Sequence, residues 1–168
     1  MLDPNFDAAF FEESGSAGVG VVYRDHTGQI IGALQQNIGS VQSIEMAEAL
    51  AARRAVLFAK ELSLFRVIIE GDCIRIIDAL KGSGHCHTLY GQVIDETNRL
   101  GGMLRSCKFQ HVRWEGNRLA HSLAKNTVLS ADTDVWVKSL SEDVKDIFQS
   151  DLPWTCFIFV GFSDIECY

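Results

Sequence analysis

Two runs of β-branched and small residues, joined by a polar turn, constrain the fold of this chain more than any other feature. The stretch AGVGVVYRDHTGQIIGALQQN spans residues 17–37, and the residues of its first run alternate between two faces. This period of two, interrupted by RDHTG, predicts a β-hairpin in which Gly28 closes the turn. A further strand is predicted upstream in NFDAAFF, where Phe6 and Asp7 fall on opposite faces. Three antiparallel strands are therefore expected to open the chain.

The hydrophobic period changes to that of a helix after these strands. Apolar residues recur at helical spacing from Ile44 to about Leu62, among strong helix formers, so we predict a long helix there. FRVIIEGD at 65–72 then indicates a buried strand, and CIRIIDALK at 73–81 indicates the helix that follows it. A helix followed by a buried strand implies a parallel crossover.

The rest of the pattern completes an α/β domain. A helix is predicted in YGQVIDETNRLGGML at 90–104, a strand in CKFQHVRW at 107–114, and a last helix in GNRLAHSLAKNTV at 116–128. The predicted order is β-β-β-α-β-α-α-β-α. This order favours a mixed five-stranded sheet, with three antiparallel strands followed by parallel crossovers, flanked by helices.

Charge and cysteine content narrow the functional classes. The net charge of −7 argues against a protein that holds nucleic acid with a large basic surface, because such binding needs many lysine and arginine contacts to phosphates. The five cysteines are scattered and the acidic N-terminus has no signal-peptide pattern, so we expect an intracellular protein, cytoplasmic or nuclear and not secreted. HCH at 85–87 has no second ligand pair at zinc spacing and is interpreted as a polar loop.

Three carboxylates occupy positions that require an explanation. Asp7 lies within the first predicted strand, Glu48 beside the apolar stripe of the first helix, and Asp72 directly after a buried strand. Burying an ionised carboxylate is costly, so each must be exposed, paired with a cation or gathered around a metal. Taken singly, Asp7 is also consistent with a surface acid at a strand end, Glu48 with an exposed helical residue, and Asp72 with a helix N-cap.

Taken together and in order, these acids and the last helix resemble the ribonuclease H type 1 superfamily. The segments that carry the resemblance are GVGVVYRDHTGQIIGA, AEALAA, EGDC and GNRLAHSLAK. It is closest to plant retroelement-derived ribonuclease H-like proteins. The resemblance implies one ribonuclease H-like domain over residues 1–150.

The resemblance also implies a two-metal nuclease that cleaves the RNA strand of RNA–DNA hybrids. Enzymes of this class hydrolyse phosphodiesters with two divalent ions about 4 Å apart, here Mg²⁺ or Mn²⁺. By similarity, Asp7 would bridge both ions, and Glu48 and Asp72 would complete the shell of one of them. His121 would be the fourth ligand.

His121 departs from the family pattern, in which the well-studied enzymes carry aspartate at this position. The exchange removes a negative charge, and an imidazole ligand suits Mn²⁺ better than Mg²⁺. If Asn117 caps the last helix, His121 lies in its first turn, where the positive end of the helix dipole favours a neutral ring that can bind metal. The alternative is that His121 only forms a hydrogen bond near a weak or inactive site.

Substrate recognition is expected to differ from that of the well-studied enzymes. These often carry a basic loop between the middle helices, whereas GSGHCHTLYGQV at 82–93 has no lysine or arginine. The nearest candidates for substrate contacts surround the last strand and helix: Lys108, His111, Arg113, Asn117, Arg118 and Lys125. They are also consistent with a solvated surface. An alternative function is therefore a domesticated retroelement remnant that binds nucleic acid or protein without turnover.

Residues 151–168 form a separate apolar tail in this interpretation. They contain WTCFIFVGF, which is far shorter than the roughly 20 residues that cross a bilayer, so no membrane span is expected. The role of the tail and the oligomeric state stay open.

Overall fold

The computed structural model of the chain describes residues 2–129 and 133–137. In chain order the elements are β1 (Asn5–Phe11), β2 (Ser16–Arg24), β3 (Ile30–Ser40), α1 (Ile44–Glu61), β4 (Arg66–Gly71), α2 (Ile74–Lys81), α3 (Gly91–Gly101), β5 (Ser106–His111), α4 (Trp114–Asn126), a 3₁₀ turn (Thr127–Leu129) and β6 (Thr133–Val137). The predicted tail at 151–168 lies outside the described residues. No helix in the described part of the chain is long and apolar enough to span a membrane.

The strands form one mixed sheet in the order β5-β4-β1-β2-β3-β6. As predicted, β1, β2 and β3 are antiparallel neighbours, and β4 and β5 add in parallel beyond β1. The predicted number of five strands is wrong, because β6 pairs antiparallel with β3. The five residues of TDVWV are too few to show a clear period of two. Pairing with β3 and burial of Val135 and Trp136 define this strand instead.

Hydrophobic residues pack against both faces of the sheet. On one face, α1, α2 and α3 cover a core that includes Val21 of β2 and Ile69 of β4. On the other face, Val22 packs in a smaller cluster with Leu123 of α4 and Trp136 of β6. Successive residues of β2 thus serve opposite layers, as the alternation of a strand requires.

Local sequence signals account for α1 and for the hairpin. The Ser43 hydroxyl caps α1 by accepting a hydrogen bond from the Met46 amide at 3.1 Å, and the helix ends one residue before the predicted limit. In the hairpin, Gly28 adopts φ +84°, and the Asp25 carboxylate accepts hydrogen bonds from the amides of Thr27 and Gln29. Both predictions are confirmed.

Helix α4 begins earlier than predicted and has a different N-cap. Its first residue is Trp114 and its N-cap is Arg113, so the condition that Asn117 caps the helix is not met. The Asn117 side chain is fully buried and donates a hydrogen bond to the carbonyl oxygen of Phe6 at 2.9 Å. Its amide therefore ties α4 to β1 and is not available to cap the helix.

Candidate metal centre

Three carboxylates converge at one end of the β1–β4 pair. In the parallel register Asn5 is level with Glu70, so Asp7, two residues further along β1, is level with Asp72 beyond the end of β4. Glu48 reaches the same point from the second turn of α1. One oxygen from each of these three acids lies within 4.8 Å of the others, and the cluster is the one group of this kind in residues 2–129 and 133–137.

Burial of the cluster decides between the alternatives that the sequence left open. Asp7 is 2% exposed and Glu48 is 6% exposed, so neither is a surface acid. Asp72 is half-buried and does not cap α2, whose N-cap is Cys73. The Oε2 atom of Glu48 is buried without a hydrogen-bond partner. A buried carboxylate oxygen that lacks a donor is costly, and a cation would satisfy it.

The electrostatics of the cluster are those of crowded acids. Burial raises the pKa of Glu48 well above its usual range, and the charges of Asp7 and Asp72 raise it further. Burial also raises the pKa of Asp7 to about 6; the charge of Asp72 adds to this shift, and the hydrogen bond from His121 opposes it. Hard carboxylate oxygens at this spacing fit a divalent cation such as Mg²⁺ or Mn²⁺, which would relieve the repulsion.

His121 contacts the cluster through Asp7. Its Nδ1 lies 2.6 Å from Oδ2 of Asp7, and its side chain is 29% exposed. It is not one of the three residues whose ligand atoms share the 4.8 Å group in the described chain. His121 is the eighth residue of α4 and not part of its first turn, so the argument from the helix dipole does not apply. If Nδ1 donates its proton to Asp7, the lone pair of the ring lies on Nε2.

Two glycines that the sequence analysis did not single out bring α4 close enough for this contact. Gly20 lies opposite Asp7 in the β1–β2 register, and a Cβ atom there would overlap the carbonyl oxygen of Ala120. A Cβ atom at Gly18 would overlap Thr127 and the carbonyl oxygen of Ala124. Because both glycines lack side chains, α4 lies directly on β2. Their spacing of two in GVGVV is the sequence signal that could have indicated this.

The predicted substrate contacts separate into different environments. His111 ends β5, with Nε2 3.1 Å from the carbonyl oxygen of Asp72, and so lies beside the cluster. Arg113 is exposed at the start of α4. Asn117 has no exposed surface and serves as an anchor for the helix, so its amide is not offered to a substrate.

The remaining candidate side chains lie in three different places. Lys125 and His121 share a groove of about 620 Å³ between the start of α1 and the end of β1. Lys108 lines a separate groove of about 560 Å³ beside β5. The Arg118 guanidinium lies 6.0 Å from the ring centre of Trp114, an exposed aromatic residue that the sequence analysis passed over.

The mixed sheet, its helices and the three convergent acids define a ribonuclease H-like domain. The chain belongs to the reverse transcriptase-like family, whose sequence profile matches residues 5–127. A search among curated proteins gives no match.

Solved structures show the same fold. Ribonuclease H1 from the archaeon Halobacterium salinarum superposes with a TM-score of 0.71 at 22% identity, covering 77% of this chain and 98% of that one. The N-terminal ribonuclease H domain of a Mycobacterium tuberculosis protein, solved as a fusion with maltose-binding protein, gives 0.69 at 17% identity, with coverages of 77% and 94%. The LC11 ribonuclease H1 in complex with an RNA/DNA hybrid gives 0.66 at 21% identity, with coverages of 77% and 100%.

Proposed function

We propose that this protein is a metal-dependent endonuclease that hydrolyses the RNA strand of RNA–DNA hybrids at the cluster of Asp7, Glu48 and Asp72. The observation that carries the proposal is the convergence of the three acids within 4.8 Å, with Oε2 of Glu48 buried and without a donor. A hybrid substrate is supported by a protein of the same fold that was solved with an RNA/DNA hybrid.

The residues would divide the work by position. Asp7, Glu48 and Asp72 would hold the pair of divalent cations, Mg²⁺ or Mn²⁺, with Asp7 as the central ligand. His121 would join them as the fourth ligand once its ring has turned away from the hydrogen bond to Asp7, because Nδ1 and Nε2 point in nearly opposite directions. When bound, such a pair of ions supplies an activated water and stabilises the leaving oxygen of the phosphodiester. Without metal, the hydrogen bond from Nδ1 of His121 would orient the Asp7 carboxylate, as outer hydrogen bonds do for ligating groups.

Substrate phosphates would be held by cationic side chains on and near α4 and not by the loop between α2 and α3. Arg113, Arg118 and Lys125 are exposed on or beside this helix, and His111 lies next to Asp72. The loop between α2 and α3, at 82–90, has no lysine or arginine. We therefore infer a modest electrostatic contribution to affinity with a shallow salt dependence.

A second candidate function is a domesticated retroelement remnant that binds nucleic acid or protein without turnover. The observation that favours it is His121, which places an imidazole against Asp7 at 2.6 Å where the well-studied enzymes carry a carboxylate. Such a site has one negative charge fewer for holding divalent ions.

The experiment that tests the proposal is a cleavage assay on the purified full chain. A hybrid labelled on the RNA strand is incubated in Mg²⁺, in Mn²⁺ and in chelator, beside the same sequence as double-stranded DNA. We expect RNA-strand cleavage with either metal and none in chelator. If the folded protein cleaves the hybrid under none of these conditions, the nuclease proposal is contradicted. The binding module then remains, and a binding assay on the same hybrid tests it.

A further inference from the structure

Four side chains form one stripe along α4. Trp114, Arg118, His121 and Lys125 follow one another at intervals of four, three and four residues, which places them on one face of the helix. Three of them are exposed and His121 is half-buried. The opposite face, with Leu119, Ala120, Leu123 and Ala124, is buried against the sheet.

The stripe runs directly past the candidate metal centre. His121 contacts Asp7 at 2.6 Å. Trp114 precedes His121 by seven residues, which corresponds to about 10 Å along a helix axis. The segment before Trp114 is anchored to the same site, since Val112 donates its amide hydrogen to the Gly71 carbonyl and His111 contacts the Asp72 carbonyl. Trp114 therefore lies at the β5 side of the site, two residues after a segment that is bonded to Gly71 and Asp72.

Trp114 is unusually placed for a tryptophan that serves only packing. Its side chain is 54% exposed, and the Arg118 guanidinium lies 6.0 Å from the ring centre. Exposed tryptophan is a common anchor both for proteins and for unpaired bases. The charges of α4 itself favour a nucleic acid, because Arg113, Arg118 and Lys125 stand on or beside this helix, whose one acid is Glu115.

We propose that Trp114, backed by Arg118, is a stacking platform for an unpaired nucleobase, so that the protein favours hybrids that carry a single-stranded extension next to the duplex. Aromatic rings and guanidinium planes stack on the bases of single strands, whereas the bases within a duplex are already stacked on one another. This inference rests on the proposed hybrid substrate. It adds a specificity-determining residue and a class of substrate, hybrids with an overhang.

The inference is tested by equilibrium binding in chelator, where cleavage does not interfere. The probes are a blunt RNA–DNA hybrid, the same hybrid with a single-stranded RNA extension, and the same hybrid with a DNA extension. We expect one of the extended probes, or both, to bind the unmodified chain about tenfold more tightly than the blunt probe, a typical effect of one stacked base. The two extended probes identify which strand supplies the base.

Variants identify the residue responsible. Trp114→Ala should abolish the preference for the extension, and Trp114→Phe should retain most of it. Phe65→Ala is a matched control, because Phe65 is 48% exposed with the Arg105 guanidinium 6.0 Å from its ring, yet it precedes β4 at the end away from Asp72. Phe65→Ala should leave the preference unchanged.

Three results would overturn the inference: no preference for an extension in the unmodified chain, an undiminished preference in Trp114→Ala, or an equal loss in Phe65→Ala. A separate assay measures whether the same preparations cleave the blunt hybrid in Mg²⁺ or Mn²⁺. If the unmodified chain cleaves the hybrid while Trp114→Ala keeps the preference, the platform fails and the nuclease stands. If neither binding nor cleavage is seen, both fail.

Discussion

At Asp7, two opposing influences act on one carboxylate. Burial and the neighbouring charge of Asp72 favour its protonated form, while the hydrogen bond from His121 favours its ionised form. The outcome is a pKa raised to about 6, so Asp7 is predominantly ionised at neutral pH although it is almost fully buried. Such a group is suited to binding a cation, because a bound metal would relieve the repulsion between the carboxylates of Asp7 and Asp72.

The first prediction concerns the charge of Asp7. Asp7→Asn should reduce hybrid cleavage in Mg²⁺ and in Mn²⁺ by at least about a hundredfold, because the central ligand loses its charge while its shape is kept. The measurement is initial cleavage rate, with circular dichroism to verify folding. Asp78→Asn is the matched control, since Asp78 is exposed on α2, and it should cleave at the unmodified rate. Equal rates for Asp7→Asn and the unmodified chain would mean that the activity comes from a contaminant.

The second prediction concerns the imidazole of His121. His121→Asp adds an oxygen ligand and a negative charge beside Asp7, so it should raise Mg²⁺-supported cleavage selectively and lower the melting temperature of the metal-free protein. His121→Ala should lower cleavage with both metals by roughly tenfold or more, since it also removes the hydrogen bond to Asp7.

Cleavage rates in each metal and thermal melts in chelator measure these effects. His87→Asp provides the control, because it makes the same exchange in the exposed loop between α2 and α3 and should change neither quantity. Undiminished cleavage by His121→Ala in both metals would show that His121 has no part in the reaction.

At the scale of elements, the position of α4 depends on the two glycines of β2. Gly20 faces Ala120 and Leu123 so closely that no side chain fits between strand and helix. The same helix carries His121 to Asp7, the residue that pairs with Gly20 across the β1–β2 ladder. The packing of α4 on β2 therefore determines where His121 lies relative to Asp7.

The third prediction tests that link. Gly20→Ala should displace α4, lower the free energy of unfolding by about 2 kcal/mol or more, and reduce cleavage, because overpacking against backbone atoms is not relieved by rotamer changes. Gly116→Ala is the control on α4 itself: its added Cβ meets nothing closer than 3.8 Å, so it should stabilise the protein by about 0.5 kcal/mol. Denaturant unfolding and cleavage rates provide both readouts. Equal stability of the two variants would contradict the proposed close packing.

At the scale of the whole molecule, the buried acid cluster makes the free energy of unfolding depend on pH. The pKa of Asp7 rises from 3.8 in the unfolded chain to about 6 in the folded one. Between roughly pH 4 and pH 6 the folded state therefore holds more protons than the unfolded state. The free energy of unfolding of the metal-free protein falls as pH rises through this window, and the loss from Asp7 amounts to about 3 kcal/mol at neutral pH.

The fourth prediction follows from this linkage. In chelator, Asp7→Asn should match the unmodified chain near pH 4 and exceed it in stability near pH 7, because the asparagine cannot ionise. Excess Mg²⁺ or Mn²⁺ should then raise the melting temperature of the unmodified chain near pH 7 and affect Asp7→Asn much less. Thermal melts at several pH values test both statements, and a difference between the two proteins that does not change with pH would contradict the raised pKa of Asp7.

Local patterns were sufficient for most of the fold. The period of two with Gly28, and the helical spacing that follows the Ser43 cap, are short-range signals, and the structure places β2, β3 and α1 accordingly. Strand β6 has no such short-range signal, because its five residues become a strand only by pairing with β3, about a hundred positions earlier. The sequence also predicts too late a start for α4, because Asn117 is a typical N-cap residue but its side chain is used in a tertiary contact.

The candidate site likewise has features that follow from the sequence and features that arise only on folding. The amino-acid sequence alone indicates which acids are available, their order along the chain, and the resemblance that groups Asp7 with Glu48 and Asp72. Three features arise only in the folded chain: Oε2 of Glu48 is left without a donor, the pKa of Asp7 rises, and His121 contacts Asp7 from 114 positions away. The physical reason is that burial and charge interactions depend on distance in space, which short-range sequence patterns do not encode.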